Sequence, residues 1–412
     1  MNTAPQYLSP DDIEDSYFEG YGCMSVQESM LADTVRTSAY SRAIHAQSEH
    51  FKDQCVMDLG SGTGILSFFA LQAGAAEVLA VEASRTAEVL RALARSQGHG
   101  LRGRLRVIQK LAEDISEEEV PRGSVDVLIS EPLGNCLVNE RMLESFLYSR
   151  DRFLRKGGLM IPDKADLFVA PFGDPLLHAE VNLACSGPGI WGRTDYFGID
   201  LRAAQSFVEE ERYRQAIIDY VDPQCLILPA TMHSFDFQLA QPCELQHISI
   251  DLDTTSPSLE DHFAVHGLCC WFQVDLGPNG GVLSTAPGEP GTHWYQTRFL
   301  ARHPLTVVAG ARIVGHLELI AHERRSYFVQ LQLRDESTGA EVQGSLIDLQ
   351  NAWYRLHTSR RAYRPPEMLA RCMLEQAQQR GGSAWQLAST IVAWWIMQVY
   401  WAIRTVAQHH GT

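Results

Sequence analysis

The chain has 412 residues, 45% hydrophobic and 20% charged, the composition of a folded globular protein with room for two or three domains. Its formal net charge of −16 excludes a general nucleic-acid binder, because phosphate contacts need a basic surface. That acidity serves either plain solubility or attraction of a cationic partner such as an Arg/Lys-rich tail. Nine cysteines are scattered without a CxxC pair or zinc spacing, and Met1 to Glu19 is polar and acidic with no apolar run. The expectation is an intracellular protein with reduced thiols, no structural metal and no secretory leader.

Residues 1–50 read as helical after a short polar lead, with Met30, Leu31, Val35, Ala39 and Ile44 at near-helical intervals. Between 51 and 162, short β-branched runs alternate with helical stretches. "CVMDLG", "EVLAVEA", "LRVIQ" and "SVDVLIS" predict strands; "GILSFFALQAGA" and "TAEVLRALARSQG" predict the helices between them. Such alternation points to an α/β domain with a parallel sheet. From 163 to 360 the runs change to "ADLFVAPF", "ARIVGHLELIA" and "SYFVQLQLRD" between Gly/Pro/Asp turns, which predicts an antiparallel β domain. Inside it, the Gly-rich stretch from Cys185 to Asp200 displays Trp191, Tyr196 and Phe197, aromatics that need a surface to cover them. Residues 361–412 form a separate tail. Its Ala384–Ile403 segment carries no charge and holds Trp385, Trp394, Trp395, Tyr400 and Trp401. That length suits a membrane span. The aromatics are spread along it rather than gathered at its ends, and Gln386, Ser389, Thr390, Arg404 and Gln408 fall near one helical face. This favours an amphipathic helix packed on the β domain, a partner or a membrane surface.

Two constellations carry chemistry. Gly60, Gly62 and Gly64 stand between a strand and a helix, where glycine lets the backbone approach a ligand, and Glu82 ends the next strand, where it can accept from ribose hydroxyls. The spacing is G-x-G-x-G, not the G-x-G-x-x-G of dinucleotide enzymes, which argues against a nicotinamide cofactor. Glu131 and Glu140 then flank a turn, nine positions apart. Read alone, the pair is either a helix N-terminus with one exposed acid or two carboxylates on one pocket. Paired carboxylates repel unless a cation lies between them, and a planar, permanently charged guanidinium has the donors to satisfy both.

"MDLGSGTG", "AVEAS" and "ISEPLGNCLVNERMLES" together resemble the protein arginine N-methyltransferase family, closest to its coactivator-associated, histone-arginine branch. "YFEGYGCMSVQESMLADTVRTSAYSRAI" matches the family's N-terminal segment and "LSTAPGEPGTHWYQ" its Thr-His-Trp loop, so the likeness runs from about Tyr17 to about Leu356. The resemblance implies a Rossmann-like S-adenosylmethionine-binding domain, then a β-barrel domain whose dimerisation arm lies at about 174–204, in a homodimer. Among cofactor-side residues it implies Arg36 on the methionine carboxylate, Gln27 beside it and Glu113 on the adenine amino group, with Ser145 near the adenine end. Met30 is either a core residue or packs near the sulfonium. Gly60, Gly62 and Glu82 keep the roles just given.

On the substrate side the resemblance implies Glu131 and Glu140 as the guanidinium clamp and His293 with Asp33 as a pair that orders the site or relays the proton. His293 can equally be a satisfied core histidine. Tyr21, Asn135, Met142 and Trp294 would line the arginine channel. One departure stands out: the family usually carries Tyr where this chain has Asn135, and loss of that aromatic wall is expected to loosen the pocket, change peptide preference or lower activity, with activity surviving because both carboxylates are intact. Met30, Met142 and "THW" match the pattern of asymmetric-dimethylating members. The expected activity is monomethylation and asymmetric dimethylation of arginine in histone or other Arg-containing tails, in nucleus or cytoplasm, with no direct nucleic-acid binding. The alternatives are a low-turnover cofactor-binding scaffold and a small-molecule N-methyltransferase.

Overall fold

The computed structural model describes residues 10–97, 103–185, 189–256 and 262–355. The Ala384–Ile403 segment lies outside the described residues. Among the described residues no helix is long and apolar enough to cross a membrane.

The chain opens with four helices, α1 (Pro10–Tyr21), α2 (Met24–Ala32), α3 (Thr34–Ala46) and α4 (Ser48–Phe51). Asp33 separates α2 from α3, its side chain accepting from the Arg36 N–H as the cap of α3. Along α3 the buried positions are Arg36, Ala39, Tyr40, Ala43 and Ile44, the three-and-four spacing of a face laid on a core.

A parallel sheet follows. Its strands are β1 (Cys55–Leu59), β2 (Glu77–Val81), β3 (Leu105–Ile108), β4 (Val125–Ser130) and β5 (Leu154–Ile161), in spatial order β3-β2-β1-β4-β5. Between them run α5 (Ile65–Gln72), α6 (Thr86–Ser96) and α7 (Met142–Phe153). The four strand runs and two helices expected from the sequence are present; β5 completes the sheet from a stretch whose Gly157 and Gly158 hide its strand character. The strand order reverses between β1 and β4, and in such sheets ligands bind beyond the C-terminal ends of the strands at that reversal. The Ser130 hydroxyl donates to the Leu59 carbonyl at 2.8 Å, tying these two strand ends together.

Among the described residues the second sheet has eleven strands. They are β6 (Lys164–Phe172), β7 (Gln215–Asp219), β8 (Thr231–Asp236), β9 (His247–Thr255), β10 (His262–Asp275), β11 (Val282–Ser284), β12 (Gln296–Val308), β13 (Arg312–His322), β14 (Ser326–Asp335), β15 (Glu341–Gln343) and β16 (Ile347–Tyr354). The path runs β8-β6-β10-β12-β7-β16-β14-β13-β9, and its end strands β8 and β9 come together, so the sheet rolls into a nearly closed barrel. Strict alternation of exposed and buried residues along β9 shows one face inside and one in solvent. The pairing is antiparallel except between β7 and β16, which run parallel.

The stretch anticipated as an aromatic, Gly-rich loop in the β domain is framed by helices, α8 (Pro175–Cys185) and α9 (Gln205–Tyr213). "PLLHAEVNLAC" is rich in good helix formers, and the Asp174 carboxylate caps α8 by accepting from the Leu177 N–H. Between the helices Phe197 is 91% exposed, with Ile199 at 60% and, on α9, Phe207 at 72%. At the start of α8 the wholly buried Arg298 is held by Asp174 and Asp219, a charge compensated on two sides.

Candidate active site

The Gly-rich turn leaves the end of β1 with Gly60, Gly62 and Gly64 all at positive φ (66°, 53° and 88°). A Cβ on Gly60 would lie 2.2 Å from Cε of Met142, and one on Gly64 would lie 2.1 Å from Cδ1 of Leu90. Glycine is thus required both by conformation and by close approach. Glu82, at the end of β2, accepts from the N–H groups of Gly62 and Ser84, each at 2.8 Å, which fixes its carboxylate beside the turn. Under the same turn Asp58 is fully buried, accepting from Ser67; burial pushes its carboxyl up to about 7.

Glu131 leaves the end of β4. One of its oxygens accepts from the Leu133 N–H at 3.0 Å and the other from Arg36 at 2.7 Å. A second Arg36 nitrogen donates to the Met30 carbonyl at 2.9 Å. The loop then doubles back: Gly134 donates to the Leu137 carbonyl, and a Cβ on Gly134 would meet the Asn139 carbonyl oxygen at 2.1 Å. Cys136, Leu137, Glu140 and Arg141 all adopt positive φ. Four such non-glycine residues in one loop store strain of about 1–3 kcal/mol each, and strain of this kind persists where a site requires the geometry.

Glu140 comes off this strained turn just before α7, and the Tyr17 and Tyr21 hydroxyls of α1 both donate to its Oε2, Tyr17 at 3.1 Å. Burial raises the carboxyls of Glu131 and Glu140 above their ordinary value. For Glu131 the nearby Arg36 charge offsets this only in part; for Glu140 the two tyrosine bonds do. Glu131 also raises Glu140, as two acids facing one space must.

On the barrel side, His293 and Trp294 reach in from the loop before β12. Asp33 accepts from the His293 N–H and lies 2.8 Å from His293 Nδ1. Burial pushes the Asp33 carboxyl up, but the His293 and Arg36 hydrogen bonds outweigh it and hold it below the ordinary carboxylate range. Trp294 is buried, donating from Nε1 to the Leu133 carbonyl at 3.0 Å and packing edge-on against Phe272.

Glu82, Arg36, Glu131, Glu140, His293 and Trp294 line one cavity of about 410 Å³, the size of a cofactor or small-ligand site. Sixteen residues were expected at the site, and the cavity wall includes fifteen of them: Tyr21, Gln27, Met30, Arg36, Gly60, Gly62, Glu82, Glu113, Glu131, Asn135, Glu140, Met142, Ser145, His293 and Trp294. Asp33 stands behind His293 rather than on the wall. Ser145 donates to Glu113 at 2.8 Å, which places that pair together at one end. Gln27 is buried against Gly62 and donates to the Tyr21 carbonyl. Arg36 engages Glu131 in addition to facing the cavity, a contact that spacing alone did not suggest.

Among the wall residues that sequence reasoning missed, three bear on the chemistry. Tyr17 could have been found, since it precedes Tyr21 by one helical turn and so shares its face. Arg325, in the turn between β13 and β14, lies over the Tyr17 ring at 4.5 Å; it and Tyr354, at the end of β16, are distant in the chain and give no local signal. Around Asn135, where a looser pocket was expected, the side chain is held on two sides. Asn135 is buried, donating to the Trp294 carbonyl at 2.9 Å and accepting from the Tyr354 hydroxyl at 2.8 Å. Among the described residues no group of three or more His, Cys, Asp or Glu side chains could hold a metal ion.

The arginine methyltransferase oligomerization subdomain matches residues 163–338, and a methyltransferase domain matches residues 56–158. Over 353 residues the chain is 40% identical to a protein of Oryza sativa subsp. indica named "Probable histone-arginine methyltransferase CARM1", covering 82% of this chain and 64% of that protein. The chain belongs to the protein arginine N-methyltransferase family. Histone-arginine methyltransferase CARMER of Aedes aegypti is 39% identical over 357 residues, covering 86% of this chain and 58% of that protein. The chain therefore spans less than two thirds of the length of these curated relatives. Among solved structures, the Trypanosoma brucei PRMT1 enzyme–prozyme heterotetrameric complex with AdoHcy superposes with a TM-score of 0.69 at 28% identity. That match covers 80% of this chain and 99% of the other.

Proposed function

We propose that the chain methylates arginine side chains of proteins, using S-adenosylmethionine and giving monomethyl- and asymmetric dimethylarginine. The observation that carries this reading is the placement of two buried carboxylates, Glu131 and Glu140, on the same cavity as the glycine turn and Glu82. The cavity suits the cofactor: the turn has no Cβ to obstruct an approaching ligand, Glu82 is fixed for hydroxyl groups, and the Ser145–Glu113 pair offers polar atoms for an adenine edge. Names of relatives agree, one solved relative being a complex with AdoHcy.

When bound, the cofactor supplies an electrophilic methyl group on its sulfonium. Arg36 would hold the methionine carboxylate while keeping its bond to Glu131, a bridging task suited to a planar five-donor cation. Gln27, Met30, Gly60 and Gly62 would form the rest of that pocket. Glu131 and Glu140 would receive the substrate guanidinium, each fixed by other bonds, with Glu140 offering the oxygen that the tyrosines leave clear. Held so, one terminal nitrogen is aimed at the methyl and positive charge is drawn to the opposite side of the guanidinium. The Asp33–His293 pair, at 2.8 Å, would hold the site in register and take the proton released after transfer. Trp294, Met142, Tyr21 and Asn135 would form the channel.

Methionine at positions 30 and 142, both on the cavity wall, favours the asymmetric product, and the relatives' names favour histone tails or similar Arg-containing substrates. The formal net charge of −16 supports the attraction of such tails. The exposed Phe197, Ile199 and Phe207 support a homodimer built through an arm at about 174–204. We divide the chain at about residues 50, 162 and 360, and place it in nucleus or cytoplasm.

The test is labelled-methyl transfer to histone and Arg/Gly-rich peptides, with product identity read by mass spectrometry. Transfer is expected from the wild type and a loss of about 100- to 1000-fold in Glu131→Gln, the scale for removing one preorganised electrostatic partner. Undiminished transfer by that variant, or symmetric dimethylarginine as the only dimethyl product, would contradict the mechanism or the product assignment respectively.

A further inference from the structure

The wall that the sequence leaves open at Asn135 is closed from the other domain. Tyr354 is the last residue of β16, and its hydroxyl donates to Asn135 Oδ1 at 2.8 Å across 219 positions of chain. Asn135 is itself pinned by donating to the Trp294 carbonyl, and Trp294 in turn donates to the Leu133 carbonyl next to Glu131 and Asn135. Tyr354, Asn135 and Trp294, the last bonded by the amide at its backbone and bonding Leu133 through its indole, are thus tied together on the substrate side of the cavity. Burial and the Glu140 carboxylate hold the Tyr354 hydroxyl above its ordinary value, so it stays a donor at any working pH and lies within the electrostatic reach of Glu140.

The ring is fixed in place yet still open to contact. Its strand end is anchored by the neighbouring Arg355, whose N–H donates to the Ile218 carbonyl and whose guanidinium bonds Asp219 and, at 2.7 Å, Glu180 of α8. Tyr354 nevertheless stays 49% exposed, although it lines the cavity. An aromatic face that is held rigidly at its hydroxyl and left uncovered beside two carboxylates is suited to stacking with a guanidinium and its aliphatic stem.

We infer that Tyr354 is the aromatic wall of the arginine channel in this chain, supplied by β16 in place of the ring usually found at position 135, and that Asn135 is its positioning residue. This rests on the reading of the cavity as an arginine-methylating site. It also explains why a small polar residue is accommodated at 135: the amide accepts from the incoming phenol and donates to Trp294, and a bulky ring there would compete for the same space.

The test uses the full-length protein and a fluorescein-labelled Arg/Gly-rich peptide. Peptide Kd is measured on protein saturated with S-adenosylhomocysteine, alongside KM and kcat for methyl transfer. Tyr354→Ala is expected to weaken the peptide Kd and raise KM about tenfold, with a smaller change in kcat, and Tyr354→Phe, which keeps the ring and loses the hydroxyl, about threefold. Asn135→Ala, which also loses the bond to the Trp294 carbonyl, should cost at least as much as Tyr354→Phe, and the double variant should be no worse than Asn135→Ala alone, because the Tyr354 bond is already broken in it. Introducing Asn135→Tyr into Tyr354→Ala should recover part of the loss. Affinity for S-adenosylhomocysteine should stay within twofold throughout, which also certifies the fold of each variant.

Peptide affinity within twofold of wild type in Tyr354→Ala overturns the inference, as does an equal loss of S-adenosylhomocysteine binding. Strict additivity of Asn135→Ala and Tyr354→Phe overturns the positioning role. A wild type that binds the peptide without transferring methyl refutes the enzymatic reading while the Kd series still decides the wall. A wild type that does neither refutes both.

Discussion

Asp58 sits beneath the glycine turn with no solvent exposure; its Oδ2 accepts from Ser67 and its Oδ1 has no hydrogen-bond partner. Burial raises its carboxyl from an ordinary 3.8 to about 7. A carboxyl that binds its proton more tightly when folded adds stability that is full below the unfolded value of 3.8 and is lost as pH rises through about 7. Between those limits the loss amounts to about 1.4 kcal/mol per pH unit, so charging Asp58 in the folded state costs about 4 kcal/mol in all. Asp58→Asn removes that slope. Its amide can still accept from Ser67, but it leaves an N–H group where Oδ1 had no partner, a penalty of about 1–3 kcal/mol at every pH. The variant should therefore be no more stable than wild type at pH 5 and gain on it by about 3 kcal/mol between pH 5 and pH 8. Denaturant unfolding at both pH values measures this. Parallel stability profiles for the two proteins would refute a buried, protonated Asp58.

Three further outcomes are expected. Glu140 must be ionised to hold a guanidinium, and its raised carboxyl loses activity as pH falls through it. Tyr17→Phe with Tyr21→Phe removes bonds that favour the ionised form and should shift the acid limb of kcat/KM to higher pH, lowering the rate on that limb about tenfold, as a pH-rate series would show. Asp33→Ala should cost about 1 kcal/mol through loss of the α3 cap. Asp33→Asn should keep that stability yet still impair methyl transfer, a separation read from thermal denaturation beside turnover. Phe197→Asp on the exposed arm should convert a wild-type dimer to monomer in sedimentation velocity at micromolar concentration; a wild type that is already monomeric there refutes the dimer.

What could be read from the sequence was what lies close together along it. The glycine turn, Glu82 at the end of the next strand, and Glu131 with Glu140 are each produced by a strand end and the turn after it, so spacing carries their geometry. The pairing of Asp33 with His293 joins positions 260 apart, and nothing in either local segment encodes it; only likeness to a family suggested it. The same holds for Asn135 with Tyr354, where likeness to the family suggested a missing wall but not the residue that stands there. The parallel β7–β16 pair within an otherwise antiparallel barrel was hidden for the same reason, and it is this pairing that carries Tyr354 to the cavity. The helices α8 and α9 were a different kind of miss: glycine and aromatic residues between them drew attention from the helix formers on either side.

The two carboxylates, symmetric in sequence, are unequal in the fold. Glu131 already faces a cation, since Arg36 lies at 2.7 Å from it and travels with it into the buried site. Glu140 is answered instead by two neutral phenols, and the Arg325 charge acts on it only weakly by comparison. Desolvation of Glu131 is thus offset in part by a neighbouring full charge before any substrate arrives, whereas that of Glu140 is met chiefly by dipoles. On the proposed reading, an entering guanidinium gains most at Glu140, where it replaces a desolvated anion with an ion pair, and Glu131 chiefly fixes its orientation. The strain in the loop fits this division. The positive φ of Glu140 and Arg141 aims an under-compensated carboxylate into the cavity, an arrangement that costs stability in the free protein and is repaid when a guanidinium binds.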